Sequence, residues 1–153
     1  MAIDRLAKAG DPRAVRFPRA VVKGADLDFS FSGLKTALLH HVRKHGVPEG
    51  PGLADLCASY QEAIVGALVQ KAIRAARRFQ LPTLVLAGGV AANSRLRSAA
   101  AEAAAGYEEL RLVVPPVRLC TDNAAMIAVA GTHALARGLR AGDDLPADPA
   151  WRL

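Results

Sequence analysis

Two stretches of this chain carry groups that could hold a nucleotide and a cation, and their patterns bring both to one edge of a sheet. Residues 84–93, Leu-Val-Leu-Ala-Gly-Gly-Val-Ala-Ala-Asn, run as a buried-strand pattern into paired glycines and then into a helix carrying Asn93. The arrangement recurs where the apolar run Leu110 to Val114 opens through Pro115 and Pro116 into Cys120, Thr121, Asp122 and Asn123 and a second apolar helix. Gly88 and Gly89 have no side chains to keep a ligand away from their N–H groups, and a helix starting near Ala91 would point its positive end toward them. Asn93 adds an amide with donor and acceptor, suited to a nucleobase or ribose edge. Asp122 opens the second turn as a metal or substrate ligand. The plainer alternatives stay open: a Gly-Gly tight turn with Asn93 bonded to local backbone, and Thr121 or Asp122 acting as a helix cap. If the two strands are parallel neighbours, both turns leave the carboxyl edge, where ligands of open α/β sheets bind.

Other titratable groups offer less. His41 and His45 stand four apart on a helix, a spacing that lets two imidazoles share a metal, but Arg43 and Lys44 lie between them and no acidic base accompanies them. They read as a solvated helix end. His133 lies in an apolar helix as a core or interface residue. Cys57 and Cys120 show no CxxC spacing and read as reduced thiols, and GxSxG, Walker A and GxGxxG are absent. One carboxylate is also too few for a catalytic zinc-type centre, which generally takes three protein ligands.

The surrounding pattern is that of a single lobe. Ile3 to Ala9 predicts a short helix stopped at Gly10-Asp11-Pro12. A basic extended segment with Arg13, Arg16, Arg19 and Lys23 follows, and then Leu27 to Ser32 alternates apolar and polar residues like a half-buried strand. Leu34 to His45 predicts a helix closed by Gly46, and Gly50-Pro51-Gly52 reads as a breaker. Leu56, Tyr60, Ala63, Ile64, Ala67, Leu68, Lys71, Ala72 and Ala75 mark the inner face of a long amphipathic helix from Leu53 to Phe79. The basic residues of its last turns, Lys71, Arg74, Arg77 and Arg78, suit the negative end of a helix dipole, which accounts for the cluster without RNA. Strand (Thr83 to Ala87), helix (Ala91 to Ala105), strand (Leu110 to Val114) and helix (Asp122 to Arg137) complete a βαβα unit. The predicted organisation is therefore an entry segment over 1–52, a long helix over 53–80, a nucleotide-edge unit over 82–140 and a Pro-rich tail over 141–153. Two firm strands and one weaker one are thin for an independent sheet, which normally needs three or more, so the chain reads as part of something larger.

The totals agree. At 153 residues with 52% hydrophobic content the chain is a packed α/β domain and not a disordered one. Twenty Lys plus Arg against fourteen Asp plus Glu leave a charge of +6 and a pI near 9.9. That balance suits a polyanionic partner such as RNA, or simply a solvated basic surface. No signal or transit sequence is evident and no run approaches a membrane span, so the expectation is a cytoplasmic protein with no membrane partner.

Three motifs in order, Asp28 to Ala37 (Asp-Phe-Ser-Phe-Ser-Gly-Leu-Lys-Thr-Ala), Ala87 to Arg97 and Cys120 to Ala128, closely resemble the TsaD family. That family transfers threonylcarbamoyl from threonylcarbamoyl-adenylate to N6 of the adenosine beside the anticodon of tRNA. The resemblance implies the carboxyl-terminal lobe of an actin-like ATPase (ASKHA) fold, a small sheet with a parallel βαβα unit covered by helices. It implies that Asn93, with Gly88 and Gly89, contacts the donor adenylate or an ATP-like nucleotide. It also implies that Asp122 is one ligand to a divalent iron or zinc ion, completed by an HxxxH pair from an amino-terminal lobe. His41 and His45 do not stand in for that pair. The partners implied are tRNA, TsaB-like and TsaE-like subunits and the amino-terminal lobe. Without that lobe the chain alone is expected to be inactive, and a non-catalytic binding lobe is the alternative. The family's old metalloendopeptidase label ranks last, because the ligand set and general base it needs are lacking.

Overall fold

A computed structural model describes residues 2–18 and 27–142. The tail from 143 onward and the part of the basic segment holding Arg19 and Lys23 lie outside the described residues. Five helices and two strands follow one another as α1 (Ala2–Ala7), α2 (Ser32–His45), α3 (Gly50–Arg78), β1 (Thr83–Val85), α4 (Ser94–Ala105), β2 (Arg111–Val113) and α5 (Ala124–Ala136). This is the predicted α/β unit. β1 and β2 pair in parallel, with Thr83 opposite Arg111 and Val85 opposite Val113, and the Leu86 N–H extends the ladder to the Val113 carbonyl at 2.9 Å.

Helix α3 is the spine. It starts at Gly50, three residues earlier than expected, because a proline in the first turn of a helix sacrifices no hydrogen bond. Pro51 therefore opens the helix where it was expected to break the chain. The buried stripe also differs from the expected one. Val65, Val69, Ile73 and Ala76 are buried, while Ile64, Leu68, Ala72 and Ala75 are half-buried one position behind them. The rotation follows from α3 being covered on two sides, by α1 near its start and by α4 and the sheet near its end. Val65, Val69 and Ile73 mesh with Leu96, Ala99 and Ala100 of α4, and Leu84, Leu86 and Leu112 close the cluster from the sheet.

Close approach of α1 to α3 depends on Gly10, where a Cβ would stand 2.2 Å from the Ala54 carbonyl oxygen. The loop after α1 is then tied down along α3. The Asp11 N–H donates to Asp55 Oδ1 at 2.7 Å, and the buried Ser59 hydroxyl donates to the Asp11 carbonyl while accepting from the Val15 N–H. Phe17 packs edge-on against Tyr60 at 5.4 Å. The Asp4 carboxylate takes hydrogen bonds from both the N–H and the hydroxyl of Ser94, at 3.1 and 2.9 Å, and so fills the positive end of α4 from a residue ninety positions away. We expect Asp4→Ala to cost about 1 kcal/mol of unfolding free energy, with Asp4→Asn, which keeps an acceptor, costing less. Urea denaturation midpoints measure both.

Leu27 to Ser32 is not a strand. Residues 28–31 have no ladder partner among the described residues, and α2 already begins at Ser32. The alternation survives only locally: the Phe29 and Phe31 rings stack at 6.0 Å, Lys71 lies over Phe29 and its ammonium donates to the Asp28 carbonyl. A period-two pattern places side chains, but a strand also requires a neighbour to bond to. The expectation of a sheet covered by helices holds for one face. On the other, Val85 is 59% exposed and α5 has no buried residue, although parallel sheets are ordinarily covered on both sides.

Candidate functional site

Parallel pairing sends the turns after β1 and β2 from the same edge. In the first, Gly88 has φ +85°, a conformation open to glycine and strained for other residues, and the chain enters a 3-10 turn over Gly89–Ala92. Beyond the chain neighbours, no described residue lies within 4 Å of where a Cβ at Gly88 or Gly89 would stand. Crowding therefore does not account for the second glycine, and the space in front of it is open to a ligand. The N–H groups that open a 3-10 turn have no acceptor inside it and so remain available as donors.

Helix α4 begins at Ser94 and not near Ala91. The Asn93 side chain accepts the Leu96 N–H at 2.9 Å, which sets the first α-helical turn there. The positive end of α4 is thus met by Asn93 and Asp4, and the glycine turn has the 3-10 donors in place of the helix dipole expected for it. Asn93 Nδ2 also donates to Gln61 Oε1 at 2.8 Å. An amide has two N–H donors and an oxygen that accepts twice, so one donor and one acceptor position remain for a ligand while the other two fix the group's orientation. Gln61 is buried, and a buried amide on the inner side of α3 needs a partner. The sequence carried no signal for the Gln61–Asn93 pair, because the burial of Gln61 follows from how α3 is covered.

In the second turn a 3-10 segment over Val117–Leu119 leads into Cys120, Thr121 and Asp122. The cap of α5 is neither Thr121 nor Asp122. Asn123 holds the extended cap conformation, accepts the Met126 N–H at 3.0 Å and donates to the Thr121 carbonyl at 2.9 Å. This leaves the Asp122 carboxylate exposed, with no hydrogen bond or ion pair among the described residues. It fits a ligand to a hard or borderline cation. The described residues bring no cluster of three His, Cys, Asp or Glu together, so Asp122 fits as one member of a set completed from elsewhere.

Arg97 joins the two turns, a role that spacing did not suggest. Its Nε donates to the Ala91 carbonyl at 2.5 Å, and its Nη2 reaches the Pro115 carbonyl at 3.0 Å and the Cys120 sulfur at 3.1 Å. One planar guanidinium thereby bridges the segment before Asn93 and the segment before Asp122. Its position one helical turn after Asn93 places it on the same face, but its partners in the second turn lie 18 and 23 residues away and were not legible in the sequence. Its neighbour Arg95 has a structural task. It pairs with Glu62 at 2.8 Å and with Glu102 at 3.2 Å, and hydrogen bonds to Glu62 foremost hold its guanidinium in the charged form.

The remaining titratable groups stay apart from this edge. His41 and His45 face one another at 4.8 Å beside Phe17, with no third ligand among the described residues. His133 is exposed on α5, so it is not a core histidine in this chain. Both cysteines are free thiols, as expected, and burial pushes the Cys57 thiol up. No helix among the described residues is long and apolar enough to cross a membrane.

Comparison with known proteins identifies the family of the chain. Residues 1–129 match the family model described as TsaD, tRNA N6-adenosine threonylcarbamoyltransferase. A protein of that name from Anaeromyxobacter dehalogenans (strain 2CP-1) is 80% identical over all 153 residues, which cover 46% of its length. Those of Geobacter sulfurreducens and Bacillus cereus are 51% and 48% identical over 99% and 96% of this chain, and 44% and 43% of their own lengths. The chain thus spans less than half the length of these relatives, and it belongs to the TsaD family of tRNA N6-adenosine threonylcarbamoyltransferases.

Proposed function

We propose that this chain is the nucleotide-edge half of a transferase that moves threonylcarbamoyl from threonylcarbamoyl-adenylate to N6 of the adenosine beside the anticodon of tRNA. The observation that carries the reading is the Arg97 bridge. It holds an open diglycine turn with an oriented amide next to a turn that ends in an unengaged carboxylate.

In this reading the donors at Gly89 and Val90 receive anionic or carbonyl oxygen of the adenylate, and Gly88 supplies the backbone bend that lets it approach. Asn93, pinned by Leu96 and Gln61, offers its remaining N–H and lone pair to the nucleoside. Asp122 would hold a divalent ion, iron or zinc, with further ligands from an amino-terminal lobe. When bound, such an ion supplies Lewis acidity toward the donor's carbamoyl oxygen. The adenine N6 forms the new bond to the carbamoyl carbon and releases a proton to water, and AMP departs with the electron pair of the broken acyl-phosphate bond. The chain's own part is to bind, orient and hold, which is the entropic share of such a reaction. TsaB-like and TsaE-like subunits complete the proposed assembly in the cytoplasm.

Mixing the chain with a separately expressed amino-terminal half of a relative, donor adenylate, a divalent metal and unmodified tRNA tests this by nucleoside mass spectrometry. We expect threonylcarbamoyl-adenosine from the mixture and none from either half. Product from this chain alone, or its undiminished formation by a mixture carrying Asp122→Ala, would overturn the divided site.

A further inference from the structure

A second feature lies at the opposite end of α4 from the two turns. A groove of about 630 Å³ opens between the last turns of α3 and α4. Val69, Ile73 and Ala103 form its apolar floor, and Arg74, Arg77, Arg78 and Tyr107 stand around it. No carboxylate lines it among the described residues. The acidic side chains that α3 and α4 could offer are engaged elsewhere, since Glu62 and Glu102 both bond to Arg95. Glu108 and Glu109, which follow Tyr107 in the chain, are not among the lining groups.

The helix dipole accounts for the sign of these residues but not for their arrangement. Arg77 and Arg78, consecutive at the end of α3, both line the groove. Arg77 is also held in place, its guanidinium 4.9 Å from the centre of the Tyr107 ring and Nη1 3.4 Å from the phenol oxygen. Stacking engages the face of a guanidinium and leaves its edge donors for oxygen acceptors, the geometry suited to phosphate.

Position decides the kind of anion. Helix α4 runs back against the strands, so its end lies about 18 Å from the Asn93 edge, twelve residues at about 1.5 Å each. A mononucleotide cannot occupy both places, whereas a folded RNA can. We propose that this groove binds the phosphodiester backbone of the RNA whose target adenosine sits at the carboxyl edge. The assignment rests on the reading of tRNA as substrate and adds where its backbone is held.

Filter binding of tRNA to the full chain at nanomolar concentration, without donor or metal, tests it across 50 to 200 mM salt. The double variant Arg77→Ala, Arg78→Ala should bind more weakly, with the slope of log affinity against log salt reduced by about 2, roughly one per lost phosphate contact. Arg77→Lys with Arg78→Lys should keep most of the slope, because charge at the phosphate is retained. That variant separates binding from a general loss of structure. Undiminished tRNA binding by the alanine variant would overturn the groove and leave the transferase reading standing. Loss of the product described above from the wild-type mixture would instead sink the transferase reading. Polyglutamate binding to wild type but not to the alanine variant, with tRNA binding the same in both, would assign the groove to an acidic protein segment. Inorganic phosphate bound in the groove with no tRNA binding would assign it to a small anion. Either result overturns the proposal.

Discussion

Arg97→Ala is expected to lower unfolding free energy by about 3 kcal/mol and to weaken binding of the donor adenylate by at least about tenfold. The stability loss follows from two backbone carbonyls, Ala91 and Pro115, and a buried thiol, Cys120, that share one charged donor. Removing the donor leaves the part-buried Ala91 carbonyl unpaired and the Pro115 carbonyl with only the weak Cys120 thiol contact at 3.7 Å, and a hydrogen bond to a charged group contributes about 1.5–3 kcal/mol. The binding loss has a different origin. Without the bridge the diglycine turn and the Asp122 turn can move independently, and a ligand that needs both must then order them. Arg97→Lys separates the contributions: it restores one charge-assisted bond, but a single ammonium lacks the fork that spans both turns. Its stability should recover further than its affinity does. Denaturation midpoints and calorimetric titration with a non-hydrolysable donor analogue measure the two. If Arg97→Ala holds ligand as tightly as wild type, the turns do not act as one site.

Concentration-dependent association is the second large effect we expect, centred on α5. A helix apolar all round its circumference belongs in an interior. Here Met126, Ile127, Val129 and Leu135 are 45%, 64%, 58% and 58% exposed, and Val85 on the uncovered sheet face is 59% exposed. Apolar patches beyond a few hundred Å² mark contact surfaces, so at micromolar concentration the chain should sediment as dimers or larger species. Ile127→Glu and Leu135→Glu should each weaken that association by about tenfold or more, because covering one such side chain contributes roughly 1.5–3 kcal/mol. In the proposed whole protein the amino-terminal lobe covers this face, and adding that half should dissolve the self-association. A monomer at every concentration in analytical ultracentrifugation would show that the exposed face of α5 does not drive association.

Much of the edge was legible without coordinates because it is local. A diglycine after an apolar run demands a turn, Gly88 adopts the backbone conformation that only glycine takes freely, and the two strand-to-turn-to-helix units imply parallel strands with a shared edge. The residue types of α2, α3, α4 and α5 were likewise written in their spacing. Boundaries were less so. Pro51 serves equally to start a helix or to interrupt one, and Asn123 competes with Thr121 and Asp122 for a single cap.

What tertiary structure alone decided are the contacts between residues far apart in the chain. Asp4 fills the positive end of α4, Gln61 steadies Asn93, and Arg97 ties one turn to the other. Leu27 to Ser32 has the pattern of a strand and lacks a neighbour, while α5 has the composition of a core helix and lies exposed. Periodicity records which side of an element avoids water. Whether a partner arrives to cover that side, and which donor meets which acceptor, depends on how the elements assemble in three dimensions.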